Sequence, residues 1–86
     1  MNIEELRNEL ASVDDQMLEL FIRHLELTQL IGRIKAEEGK GLYDRKSEEE
    51  LLEKVVANSP QDMQSYTLQL FREVMNLSKE HFKYSK

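Results

Sequence analysis

Two residues able to carry positive charge sit on an otherwise apolar helical face. Projected at 100° per residue, Thr28, Ile31 and Lys35 each fall within about 40° of His24. Burying a cation there needs a partner, and a small molecule held by it is one reading. The plainer account is that Lys35 snorkels at the helix end and His24 is a core histidine satisfied by the protein itself. The residues alone leave both open. Arg23 is turned by about 100° and faces elsewhere. Arg7 is roughly 42 Å from Lys35 along a straight helix, so within one chain those two cations cannot hold the same small molecule. In an antiparallel pair of chains, Arg7 of one approaches the second half of the other's helix. Other chemistries are closed. With no cysteine there is no disulfide framework, thiol nucleophile or thiolate metal site. His24 and His81 lie far apart in the chain, which argues against zinc.

The element that carries these residues is a helix predicted from Ile3 to about Glu38. Its apolar positions Leu6, Leu10, Val13, Met17, Leu20, Phe21, Leu27, Leu30, Ile31 and Ile34 recur in steps of three and four. Gly39-Lys40-Gly41 supplies its stop. Gly32 lies inside the pattern at a cost of roughly 1 kcal/mol relative to alanine. Close approach of another helix explains it more simply than a ligand does. A short second helix follows through Leu51, Leu52, Val55 and Val56; Asp44 and Ser47 can each cap it, and Ser47 with Glu50 fits a capping box. Asn58 and Ser59 break it. Ser59 as N-cap, Pro60 at the first helical position and Asp62 in the first turn predict a third, medium-length helix. That helix continues through Met63, Tyr66, Leu70, Phe71, Val74 and Leu77 to His81 or Phe82. Tyr84 and the basic tail around Lys83 and Lys86 read as a frayed end. The fold class is all-α, with one domain over residues 1–86.

A first helix of this length spans on the order of 54 Å. A compact chain of 86 residues has a radius of gyration near ~12 Å, and buries only about 60–65% of the surface it exposes when unfolded. Two short helices cannot cover an apolar stripe that runs the full length of the first. A second copy is the natural cover, giving an intertwined antiparallel homodimer. An open three-helix monomer with a frayed first helix is the rival. The net charge of -5 argues against a general nucleic-acid binder. No uncharged run approaches the ~20 residues that cross a bilayer. The acidic start Met1-Asn2-Ile3-Glu4-Glu5 lacks a signal peptide's basic and apolar regions. The expected location is cytoplasmic.

Leu6-Arg7, Val13-Asp14, Leu18, Leu20-Phe21, Ile31-Gly32, Lys35, Tyr43-Asp44, Glu48-Glu49 and Phe71-Arg72-Glu73-Val74-Met75 with Ser78 together resemble the all-helical chorismate mutases. The resemblance covers nearly the whole chain. It implies an intertwined dimer of three-helix chains that converts chorismate to prephenate, an intramolecular Claisen rearrangement in aromatic amino-acid biosynthesis. It also implies no cofactor and no metal. The substrate is a dicarboxylate folded into a compact conformer, and the breaking ether bond leaves negative charge on oxygen, so catalysis rests on positioning and on donors aimed at that charge.

By the resemblance, Arg7 reaches a substrate carboxylate from the neighbouring subunit, and Lys35 contacts the ether oxygen and a carboxylate. Asp44 and Glu48 lie near the substrate hydroxyl, with Glu48 its usual partner, and Ser78 lies near a carboxylate. Taken singly, Asp44 also fits a plain cap, Glu48 a first-turn dipole complement and Ser78 a helix-surface residue.

Three positions depart from the family pattern. His24 stands where the family has a carboxylate-clamping arginine, and Ser47 also replaces an arginine. Phe82, expected to line the pocket, replaces a glutamine that donates to the ether oxygen. Histidine lacks the bidentate grip of a guanidinium, and phenylalanine donates nothing. Losing one preorganised donor costs about 2.7–4 kcal/mol in the transition state. The expectation is a chorismate mutase of weak or divergent activity. The alternatives are a non-catalytic binding or regulatory paralogue and an isochorismate-pyruvate lyase.

Overall fold

A computed structural model describes residues 1–85. In chain order it contains helix α1 (Ile3–Glu37), helix α2 (Arg45–Ala57), a single 3₁₀ turn (Gln61–Met63) and helix α3 (Gln64–Tyr84). The described residues form no strand.

Local chemistry sets each boundary. At the start of α1 the Asn2 side chain accepts from the Glu5 N–H at 2.9 Å, and Glu4 and Glu5 complement the helix dipole. At its end the Lys40 N–H donates to the Lys35 carbonyl at 2.8 Å and the Gly39 N–H to the Ala36 carbonyl at 3.0 Å. That paired closure needs a residue in the left-handed region, and Gly39 supplies it at φ 74°. The predicted stop is therefore met by a Schellman turn one residue short of the expected boundary, with Glu38 as the cap.

Two predicted caps are corrected. The capping box of α2 joins Asp44 to Ser47, not Ser47 to Glu50. The Ser47 N–H donates to Asp44 Oδ1 at 2.7 Å and the Asp44 N–H donates to Ser47 Oγ at 3.1 Å. Asp44 holds the cap position itself, which leaves Ser47 three residues inside the helix. Ser59 does not cap the third helix. Its hydroxyl turns back to the Val55 carbonyl at 2.6 Å and meets the Thr67 hydroxyl at 2.7 Å, tying the end of α2 to α3. Pro60 accordingly precedes a 3₁₀ turn, and α3 proper begins at Gln64. The predicted frayed end is also shorter: Lys83 and Tyr84 are helical, with the Lys83 ammonium 5.3 Å from the Tyr84 ring centroid. Lys86 lies outside the described residues.

Helix α3 packs against both α1 and α2. The core at this junction is small, made of Leu42, Val55 and Met75 with the polar Thr28 and Ser78. Gly32 lets the helices approach: a Cβ there would stand 2.8 Å from the Phe82 ring, closer than packed carbons tolerate. The first half of α1 has no such cover. Leu6, Leu10, Val13, Met17 and Leu20 are each between 49% and 69% exposed.

The chain measures 54 × 30 × 14 Å, with a radius of gyration of 15.8 Å. A compact chain of this length would come to about 12 Å. The thin dimension amounts to one helix backbone, about 4.6 Å across, plus one interhelical spacing of about 8–10 Å. Three helices in so thin an arrangement enclose only the small core at their junction.

Candidate functional site

The junction of the three helices gathers most of the residues singled out from the sequence. From α1 come His24, Thr28, Gly32 and Lys35, spaced along one face. The same Schellman turn that ends α1 folds the chain back over Lys35. The Lys35 ammonium donates to the Leu42 carbonyl at 3.1 Å, which fixes the start of the loop leading to Tyr43 and Asp44. Lys35 is half-buried and keeps further N–H donors beyond that one bond.

Asp44 is exposed and works as a cap, one of the two roles open to it in the sequence. The Ser47 backbone and hydroxyl hydrogen bonds hold its carboxyl below the usual range, helped by the nearby Lys35 and Lys46 charges. Glu48, in the first turn of α2, is half-buried and forms an ion pair with Lys79 of α3. The Lys79 ammonium also lies 5.9 Å from the centroid of the Tyr43 ring. Burial raises the half-buried Tyr43 phenol above its ordinary range. The Ser78 hydroxyl and the Lys79 charge oppose that shift, and Glu48 reinforces it.

Ser78 is fully buried, which corrects its plain reading as a helix-surface residue. Its hydroxyl donates to the Val74 carbonyl at 2.7 Å and lies 3.2 Å from His24 Nδ1. A serine has one hydroxyl hydrogen. With that hydrogen given to Val74, the matching imidazole tautomer of His24 donates from Nδ1 into the Ser78 oxygen. This is the reverse of a nucleophile handing its proton to a base. It also leaves Nε2 of the neutral imidazole as an acceptor, so His24 offers a second donor only when protonated. Phe82, one turn beyond Ser78, lays its ring on Gly32 and so stands between α1 and α3 at this end of the junction.

Arg7 is not brought to the cluster. It is exposed in the second turn of α1, near the opposite end of the helix. Arg23 does face away, where it pairs with Glu26 at 3.6 Å. A groove of about 470 Å³ opens between α1 and α3, lined by Met17, Leu20, Phe21, Phe71 and Leu77 among others, with His24 at its edge. A second groove of about 330 Å³ runs between α2 and α3 past Val55, Ser59 and Thr67. Among the described residues, no group of three or more His, Asp or Glu is placed to hold a metal ion.

Lys79 and Tyr43 belong to this junction, and neither was singled out as a site residue from the sequence. The signal for Lys79 was present. Met75, Ser78, Lys79 and Phe82 occupy the i, i+3, i+4 and i+7 places of one face of α3. The cluster therefore offers two ammonium groups, two carboxylates, a phenol and an imidazole around a buried hydroxyl. This set suits the holding of an anion that also carries a hydroxyl.

In comparisons with known proteins, the family model of chorismate mutase type II matches residues 6–83. No curated protein and no solved structure matches the chain.

Proposed function

The chain belongs to the chorismate mutase type II family, and from that premise we propose that it is a weak or divergent chorismate mutase, acting as a single domain over residues 1–86. The substrate is a chorismate-like dicarboxylate. In the rearrangement one C–O ether bond breaks as one C–C bond forms within the same molecule. No proton has to be removed and no cofactor is consumed. The protein's contribution is to hold the compact conformer and to place donors where oxygen gains charge.

Lys35 is the donor at the ether oxygen and a carboxylate. Glu48, and Asp44 beside it, face the substrate hydroxyl; Ser78 and His24 lie towards a carboxylate. Arg7 comes from a partner copy in an antiparallel homodimer, and Phe82 lines the pocket. The location is cytoplasmic; no described helix is long and apolar enough to cross a membrane. The observation that carries this reading is the convergence of Lys35, Glu48 and Ser78 from three helices on one junction, within a chain whose family match spans nearly its full length.

A binding or regulatory role without turnover is the second reading, favoured by Phe82. Its ring fills space against Gly32 and gives no hydrogen bond where the reaction needs a donor. The decisive experiment follows chorismate disappearance with the purified protein beside a His24→Arg/Phe82→Gln variant. Ser47 is left in place because arginine there would break the α2 capping box. The wild type should be slow, and the variant faster by about tenfold or more for the donors restored. Equal, negligible rates for both would move the assignment to the non-catalytic reading. A fast wild type would show that His24 and Phe82 are no handicap.

A further inference from the structure

We propose that Lys79 is an additional ligand-binding residue of this site, a second ammonium that works from α3 opposite Lys35 of α1 on a carboxylate of the ligand. The inference deepens the proposed function and rests on it. Lys79 follows the buried Ser78 directly and shares its helical face with Met75 and Phe82. Its ammonium is tethered from two sides, by the Glu48 carboxylate and by the face of the Tyr43 ring at 5.9 Å. Its side chain is 45% exposed, so the group is oriented yet open to solvent.

Charge balance gives the tether its purpose. Asp44 and Glu48 bring two negative charges to the junction, and Lys35 alone brings one fixed positive charge from α1. An anionic ligand entering beside an unopposed Glu48 would be repelled. Lys79 neutralises that carboxylate and, with three N–H donors, keeps capacity for a ligand oxygen. A half-exposed ion pair contributes little to stability by itself. Tyr43 shares this neighbourhood: burial raises its phenol, the Ser78 hydroxyl and the Lys79 charge oppose that shift, and Glu48 reinforces it.

The test measures prephenate binding by calorimetry and chorismate turnover for the wild type, Lys79→Gln and Lys79→Arg, with thermal melts as a folding control. Lys79→Gln should melt with the wild type, weaken prephenate binding by about tenfold or more, and raise KM with kcat little changed. Lys79→Arg, which keeps the charge, should stay within about threefold of the wild type. If the wild type binds prephenate and Lys79→Gln binds it equally well, the role of Lys79 is overturned while the proposed function stands. If the wild type neither binds prephenate nor consumes chorismate, the proposed function falls and this inference with it.

Discussion

At the scale of single residues, the junction shows side chains held by the protein before any ligand arrives. His24 spends one nitrogen on Ser78, Asp44 is occupied as a cap, and Glu48 is paired with Lys79. The sequence could place His24, Thr28 and Lys35 on one face because helical periodicity is fixed by backbone geometry alone. It could not say that Ser78 meets His24 or which cation Glu48 pairs with, because those partners lie on other helices. Asp44 provides a residue-level prediction. Its carboxyl is held below the ordinary 3.8, so the contribution of the ionised cap is present above that value and is lost as pH falls through the lower folded value. The Ser47 amide, followed by NMR, should titrate with a midpoint below 3.8. Asp44→Asn, which keeps an acceptor at the cap, should retain α2 at neutral pH and abolish that titration.

At the scale of elements, the sequence was most legible where one residue type has few alternatives. Gly39 ends α1 because the Schellman turn needs positive φ, and Gly32 marks the close approach of α3. Legibility failed where several residues compete for one role. Asp44 and Ser47 are both good caps for α2, separated only by local bonds, whereas Ser59 is a good cap for α3 whose outcome depends on neighbours that the fold supplies. Ser59 is drawn to Thr67 and the Val55 carbonyl, contacts set by how α3 lies across α2. The contact between α1 and α3 gives a measurable expectation. Gly32→Ala gains helix propensity but drives its new methyl into the Phe82 ring, for a net destabilisation of about 1–2 kcal/mol. In a Phe82→Ala background the same change should be neutral or stabilising. Denaturant unfolding of the four proteins measures that coupling, and strictly additive values would show that the ring moves aside freely.

At the scale of the whole molecule, a thin arrangement of helices with an exposed apolar stripe reads, in the proposed dimer, as half of a structure. The proposed antiparallel partner, lying along α1, would account for the 15.8 Å radius of gyration and for the uncovered residues from Leu6 to Leu20. That partner is also what would carry Arg7 to the junction. Mixing inactive Arg7→Ala and Lys35→Ala chains should therefore restore one intact site per mixed pair, or about one quarter of the wild-type activity at equal amounts. No recovery, with subunit exchange verified by mass, would rule out a shared site.

The long α1 rod has a further consequence. Its first half leaves a greasy side open and cannot fold back on itself, so in the proposed dimer sealing that side depends on meeting a mate. Refolding should then slow on dilution, as a second-order event does. A newly made chain in a sparsely supplied cell would wait longest, and be vulnerable longest, before it becomes whole.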